Sequence, residues 1–64
     1  MKIDAFKLKV ALAERIWLIN DLADKSGVTS NTIQSILAGN SCNTVTLGKI
    51  AKALDVPVVD LLKE

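Results

Sequence analysis

The side chains best equipped for chemistry in this sequence are neutral ones. From Ser26 to Gly48 no residue carries a charge, and the same stretch holds Thr29, Ser30, Asn31, Thr32, Gln34, Ser35, Asn40, Ser41 and Asn43. A carboxamide sets a donor and an acceptor side by side, so Asn31 and Gln34 can grip a flat edge offering the complementary pair, as adenine does with N6 and N7. Ser and Thr hydroxyls can donate to or accept from several base edges, and the Thr32 methyl can meet a thymine methyl. The blander reading is a solvated face or a neutral protein contact. Solvated helix faces usually carry Lys and Glu, which form helices better than Ser, Asn and Thr. The composition therefore favours recognition.

Other chemistries find no footing. There is no His, and the one cysteine, Cys42, cannot form an internal disulfide and reads as a plain loop thiol. A zinc site or disulfide framework is excluded on that count. Asp55 and Asp60 have no nucleophile, His or ligand cluster beside them, so neither catalysis, a metal nor a cofactor is expected. Lys and Arg total 8 against 7 Asp and Glu, a net charge of +1 that neither demands nor excludes a nucleic acid. No run approaches the about 20 apolar residues needed to span a bilayer, and Lys2 with its mixed followers does not make a signal peptide. The expectation is a cytoplasmic chain that makes no membrane contact.

A length of 64 residues allows a single domain, 1–64, with half of its residues apolar but only Phe6 and Trp17 aromatic. Ala, Leu, Ile and Val must build the interior, which suits short helices packed closely. Asp4 can N-cap a first helix carrying Leu8, Ala11, Leu12 and Ile16 at helical spacing. A break is expected near Trp17–Leu18, with Trp17 packing at that hinge. A second helix then runs over about 19–25, with Leu22 and Ala23 inward. Gly27 suits a left-handed turn residue. Thr29 can cap a third helix over 30–38 with Ile33, Ile36 and Leu37 inward, closed by Gly39. Asn43 or Thr44 caps a fourth, to about Leu54, whose stripe is Leu47, Ile50, Ala51 and Leu54. Pro57 fits the first turn of a fifth helix whose Leu61 and Leu62 pack back. The expected fold is all-α with five helices.

Two helices crossing over a tight Gly turn, with small Ala23 at the contact, form the helix-turn-helix arrangement. In Leu22-Ala23, Lys25-Ser26-Gly27-Val28, Asn31-Thr32-Ile33, Ile36-Leu37 with Gly39, Lys49 through Leu54, and Val56 through Leu62, the chain resembles the repressor/Cro-like helix-turn-helix family, also called the xenobiotic-response-element family. The resemblance runs from about Leu8 to Leu62. It implies a compact, five-helix, lambda-repressor-like DNA-binding domain, a transcriptional regulator of the repressor type that binds double-stranded DNA as a homodimer. The third helix would enter the major groove, with its N-terminal residues on base edges. Ser30, Asn31 and Gln34 are the expected base contacts. Thr29, Thr32, Ser35, Asn40, Ser41 and Asn43 are expected at phosphates or the groove edge.

The sequence departs from that family in ways that matter. Ile19 stands where a polar residue, commonly Gln, reaches a phosphate, Leu37 stands where Glu is frequent, and the basic residues often found around the third helix are missing. Phosphate charge must then come from Lys7, Lys9, Arg15, Lys25, Lys49 and Lys52. An alternative function is a small protein-interaction module, an anti-repressor or adaptor that has lost DNA binding. Surplus apolar residues (Val10, Ile16, Ile19, Val58 and Val59) point to self-association, expected around Val58, Val59 and Leu62.

Overall fold

A computed structural model describes residues 2–63. Among them lie α1 (Ala5–Arg15), α2 (Ile19–Ser26), α3 (Ser30–Leu37), α4 (Thr44–Leu54) and a 3₁₀ turn over Val58–Asp60. Each start has a local cause. The Asp4 carboxylate accepts from the Phe6 and Lys7 N–H groups, the Thr29 hydroxyl from Thr32 N–H, and the Asn43 carboxamide from Thr46 N–H at 2.8 Å. All three are side-chain acceptors satisfying donors that the first helical turn leaves open.

The ends are set differently. α2 closes on Gly27, at φ 75°, ψ 11°, in the left-handed region, and the Gly27 N–H donates to the Ala23 carbonyl at 3.0 Å. The chain then turns into α3 within two residues. α1 and α4 end on left-handed residues that are not glycine: Ile16 at φ 56° and Asp55 at φ 57°. For β-branched Ile16 that conformation is strained by about 1–2 kcal/mol. Its side chain recovers nothing by burial, being 91% exposed. Ile16→Gly is therefore expected to raise stability by about 0.5–1 kcal/mol, the strain relieved less the greater unfolded-state freedom of Gly. An unchanged or lower midpoint in urea would contradict this.

Arg15 ties the two helix ends together. Its Nη1 donates to the Ala11 carbonyl at 2.9 Å and its Nη2 to the Leu54 carbonyl at 2.6 Å, so one guanidinium satisfies late carbonyls of both α1 and α4. Trp17 packs against the core at the hinge, with the Arg15 guanidinium carbon 5.9 Å and the Lys25 ammonium 5.2 Å from its ring centre.

The core gathers one stripe from each helix: Leu8, Ala11 and Leu12; Leu22; Ile33 and Ile36; Leu47, Ile50, Ala51 and Leu54. Ile3, Val28 and Leu61 complete it, and no polar side chain among the described residues is buried. Leu37 faces inward as expected, partly buried against the core. Two expectations are corrected here. Ile16 faces solvent, because the helix stops one residue before the stripe would have reached it. The fifth helix is one 3₁₀ turn: Pro57 is extended (ψ 143°) and lies outside it, and Leu61 must enter the core directly afterwards. The C-terminal segment instead pairs with the N-terminal one. Ile3 and Leu62 form an antiparallel bridge, with Asp4 N–H donating to Leu61 O at 2.7 Å and Lys63 N–H to Lys2 O at 3.1 Å.

Candidate nucleic-acid interface

Ile33 (0% exposed) and Ile36 (1%) anchor α3 and thereby fix which residues face outward. Asn31, Gln34, Ser35 and Ala38 are exposed, at the i, i+3, i+4, i+7 spacing of one helix face, while Ser30 and Thr32 are half-buried. Asn40, Ser41 and Asn43 are exposed in the loop that follows.

These polar groups divide by whether the fold already employs them. The Thr29 and Thr32 hydroxyls lie 2.9 Å apart in a hydrogen bond to each other, and Thr29 also caps α3. The Asn40 amide donates to the Ser35 hydroxyl at 2.9 Å, tying the loop to the helix. Asn43 caps α4. By contrast, the Asn31 and Gln34 carboxamides make no hydrogen bond to any described residue. Two adjacent carboxamides thus project from the first two turns of α3 with full donor and acceptor capacity, on a helix held rigidly from behind.

The stretch from Ser26 to Gly48 that holds them carries no charged side chain. Arg15 is bound to two carbonyls, Lys25 lies over Trp17, and the Lys7 ammonium donates to the Leu62 carbonyl at 3.2 Å. Lys9, Lys49 and Lys52 are exposed. The N-terminus of α2 contains a feature that sequence reasoning missed: the Asp21 carboxylate accepts from the Leu18 N–H at 2.8 Å. Leucine at the cap position has no side-chain acceptor, so only this half of a reciprocal cap exists, and it lacks the Ser/Thr signature that would reveal it. That carboxylate satisfies the Leu18 N–H. Val45, 63% exposed in the first turn of α4, also went unremarked. An apolar residue there would be noticed only with the helix phase known.

The model of one family, the Cro/C1-type helix-turn-helix DNA-binding domain, matches residues 7–63. The chain belongs to that family. No curated protein matches it. Among solved structures, the Cro/C1-type domain is similar over 100% of its length to native PhpD with cadmium atoms, at 25% identity and a TM-score of 0.85. It is likewise similar to a point mutant of hydroxyethylphosphonate dioxygenase, at 25% identity and a TM-score of 0.87. Streptomyces albus HEPD with 2-hydroxyethylphosphonate and Fe(II) bound matches 91% of the chain at 27% identity and a TM-score of 0.81. The chain spans only 14% of the first two proteins and 13% of the third. Among its own described residues no cluster of three or more His, Cys, Asp or Glu could hold a metal, and no helix is long and apolar enough to cross a membrane.

Proposed function

We propose that this Cro/C1-type domain is a cytoplasmic, sequence-specific DNA-binding regulator of the repressor type, acting as a homodimer without catalysis or cofactor. The third helix lies in the major groove, Ser30, Asn31 and Gln34 meet base edges, and the remaining polar residues of 29–43 hold the groove edge. The observation that carries this reading is the pair of unengaged carboxamides at Asn31 and Gln34. Thr29, Thr32, Ser35, Asn40 and Asn43 reach the groove edge from fixed positions, since their side chains bond within the domain. Selection of bound sequences from a random duplex pool tests the reading. An enriched motif, palindromic for a two-fold dimer, is expected; a pool that stays random after repeated rounds refutes it.

The sparse charge makes a second measurable claim. The logarithm of affinity falls with the logarithm of salt at a slope of roughly −0.9 per neutralised phosphate, so a slope of about −2 to −4 per protomer is expected. Nonspecific binding should be feeble. A much steeper slope on titration at several salt concentrations would mean that cations beyond Lys9, Lys49 and Lys52 are recruited.

The protein-interaction reading is favoured by one specific observation, the Asp21 carboxylate at the N-terminus of α2. In helix-turn-helix docking the first helix of the motif crosses the DNA backbone, and an anion there opposes phosphate. An adaptor would enrich no DNA motif, so the same selection separates the two readings.

A further inference from the structure

The outer face of α3 can discriminate only by hydrogen-bond pattern. Asn31 and Gln34 are exposed, three residues apart on one flank, and no side chain from Ser26 to Gly48 carries a charge. The other polar groups of α3 distinguish less. Ser30 is half-buried, and its hydroxyl can turn to serve as donor or acceptor. The Ser35 hydroxyl is held by the Asn40 amide at 2.9 Å, and the Thr32 hydroxyl by that of Thr29.

A carboxamide sets an acceptor beside a donor. Adenine is the base whose major-groove edge answers with a donor, N6–H, next to an acceptor, N7. Guanine presents two acceptors, O6 and N7, which suit lysine or arginine and repel a carboxamide oxygen. Residues three apart on a helix have Cβ atoms about 5–6 Å from each other, against about 3.4 Å between stacked bases. Asn31 and Gln34 are therefore spaced for adenines in neighbouring or next-but-one base pairs.

Adenine has two hydrogens on N6. In a base pair one donates to thymine, and only the other, beside N7, faces the groove. A methyl group on N6 of a paired adenine must then take the outer position. It removes the donor that the carboxamide oxygen accepts from, and it fills the place of that oxygen. Turning the carboxamide over gains nothing, because its NH₂ then meets the methyl group and its oxygen meets N7. No cation between Ser26 and Gly48 offers a substitute contact. Lys49 and Lys52 can add only a hold on phosphates that is the same in every methylation state.

We propose that methylation of adenine N6 switches this domain off its DNA site, because Asn31 and Gln34 each read an adenine and a methyl group on either base displaces the protein. The proposal rests on the reading of α3 as the element that meets base edges. It adds a regulator, an enzyme of the adenine-N6 methyltransferase class acting on the same duplex.

The test uses the full chain and a duplex selected from an unmethylated random pool. Binding is titrated on that duplex, on versions with N6-methyladenine at one adenine at a time, and on versions with 5-methylcytosine at each cytosine. Methylation at two adenines of a half-site, in neighbouring or next-but-one pairs, is expected to weaken binding at least about tenfold, as loss of a bidentate base contact does. 5-Methylcytosine, which also adds a methyl group to the major groove, should have little effect. Asn31→Ala should abolish the response at one of the two adenines and Gln34→Ala at the other, which a general change in duplex stiffness would not do. Circular dichroism checks that both variants are folded. If a motif is selected but N6-methylation changes binding at no adenine, the proposal falls and the DNA reading stands. A response that persists in both alanine variants overturns the proposal too, by moving the sensor away from these carboxamides. If no motif is selected, the DNA reading falls and the methylation switch falls with it.

Discussion

Asn31→Ala and Gln34→Ala are each expected to weaken binding to the selected DNA site by about 1–3 kcal/mol, roughly five- to 150-fold, while leaving binding to a scrambled duplex almost unchanged. The expectation follows from their setting. Both carboxamides are exposed and make no hydrogen bond within the described domain, so truncation removes nothing from the fold and any loss reports on the ligand. Neither residue is charged, so the slope of affinity against salt should not move. Lys49→Ala and Lys52→Ala form the contrast: if they touch phosphates, they weaken all duplexes alike and flatten the slope. Titration of the selected and scrambled duplexes at several salt concentrations reads both quantities. If both carboxamide variants kept full site preference, α3 would not be the reader.

The largest expected effect on stability is at Gly27. A Cβ placed there would meet nothing within 4 Å, yet the residue sits at φ +75°. The penalty of adding a Cβ is therefore backbone strain. Gly27→Val, which places a β-branched residue in the left-handed region, should cost about 1–3 kcal/mol. In a domain of this size each kcal/mol shifts the melting temperature by about 4–8 °C. Gly48 supplies the control. It lies inside α4 with equally open surroundings and no left-handed φ, so Gly48→Ala should stabilise by about 0.5–1 kcal/mol. Thermal melts of both variants decide the matter. Equal melting temperatures for wild type and Gly27→Val would show that the turn can be rebuilt without a left-handed residue.

What the sequence made legible is what local chemistry determines. Asp4, Thr29 and Asn43 are short acceptors just ahead of periodic apolar residues, and each caps a helix as expected. Gly27 has no competitor for the tight turn. The break at 17–18 was visible because Trp17, Leu18 and Ile19 crowd the helical circumference. Failure came where a distant partner decides. Ile16 continues the stripe of Leu8 and Leu12, and nothing local says that a strained isoleucine will end the helix while Arg15 reaches across to Leu54. Pro57 reads as a helix start, but the bridge between Ile3 and Leu62 draws the chain out straight after one 3₁₀ turn, and such pairing leaves no periodic trace.

The site divides the same way. The phase set by Ile33 and Ile36 puts Asn31 and Gln34 outward, and that much could be read directly. Which hydroxyls and amides were already committed could not. Thr29 with Thr32, and Ser35 with Asn40, find each other only once the helix and its loop are built. Asp21 was hidden for a related reason, since a leucine at the cap position advertises nothing.

The antiparallel bridge has one further consequence. Because Lys63 N–H donates to Lys2 O at 3.1 Å, the chain enters and leaves this domain at almost the same point. A host loop would need to open by only about 5 Å, the spacing of neighbouring strands, to admit the whole unit. Units whose ends lie together at the surface can be inserted into other proteins without pulling either partner out of shape. The fold is thus a cassette, able to sit within a much longer polypeptide while its core, its turn and its α3 face stay as they are.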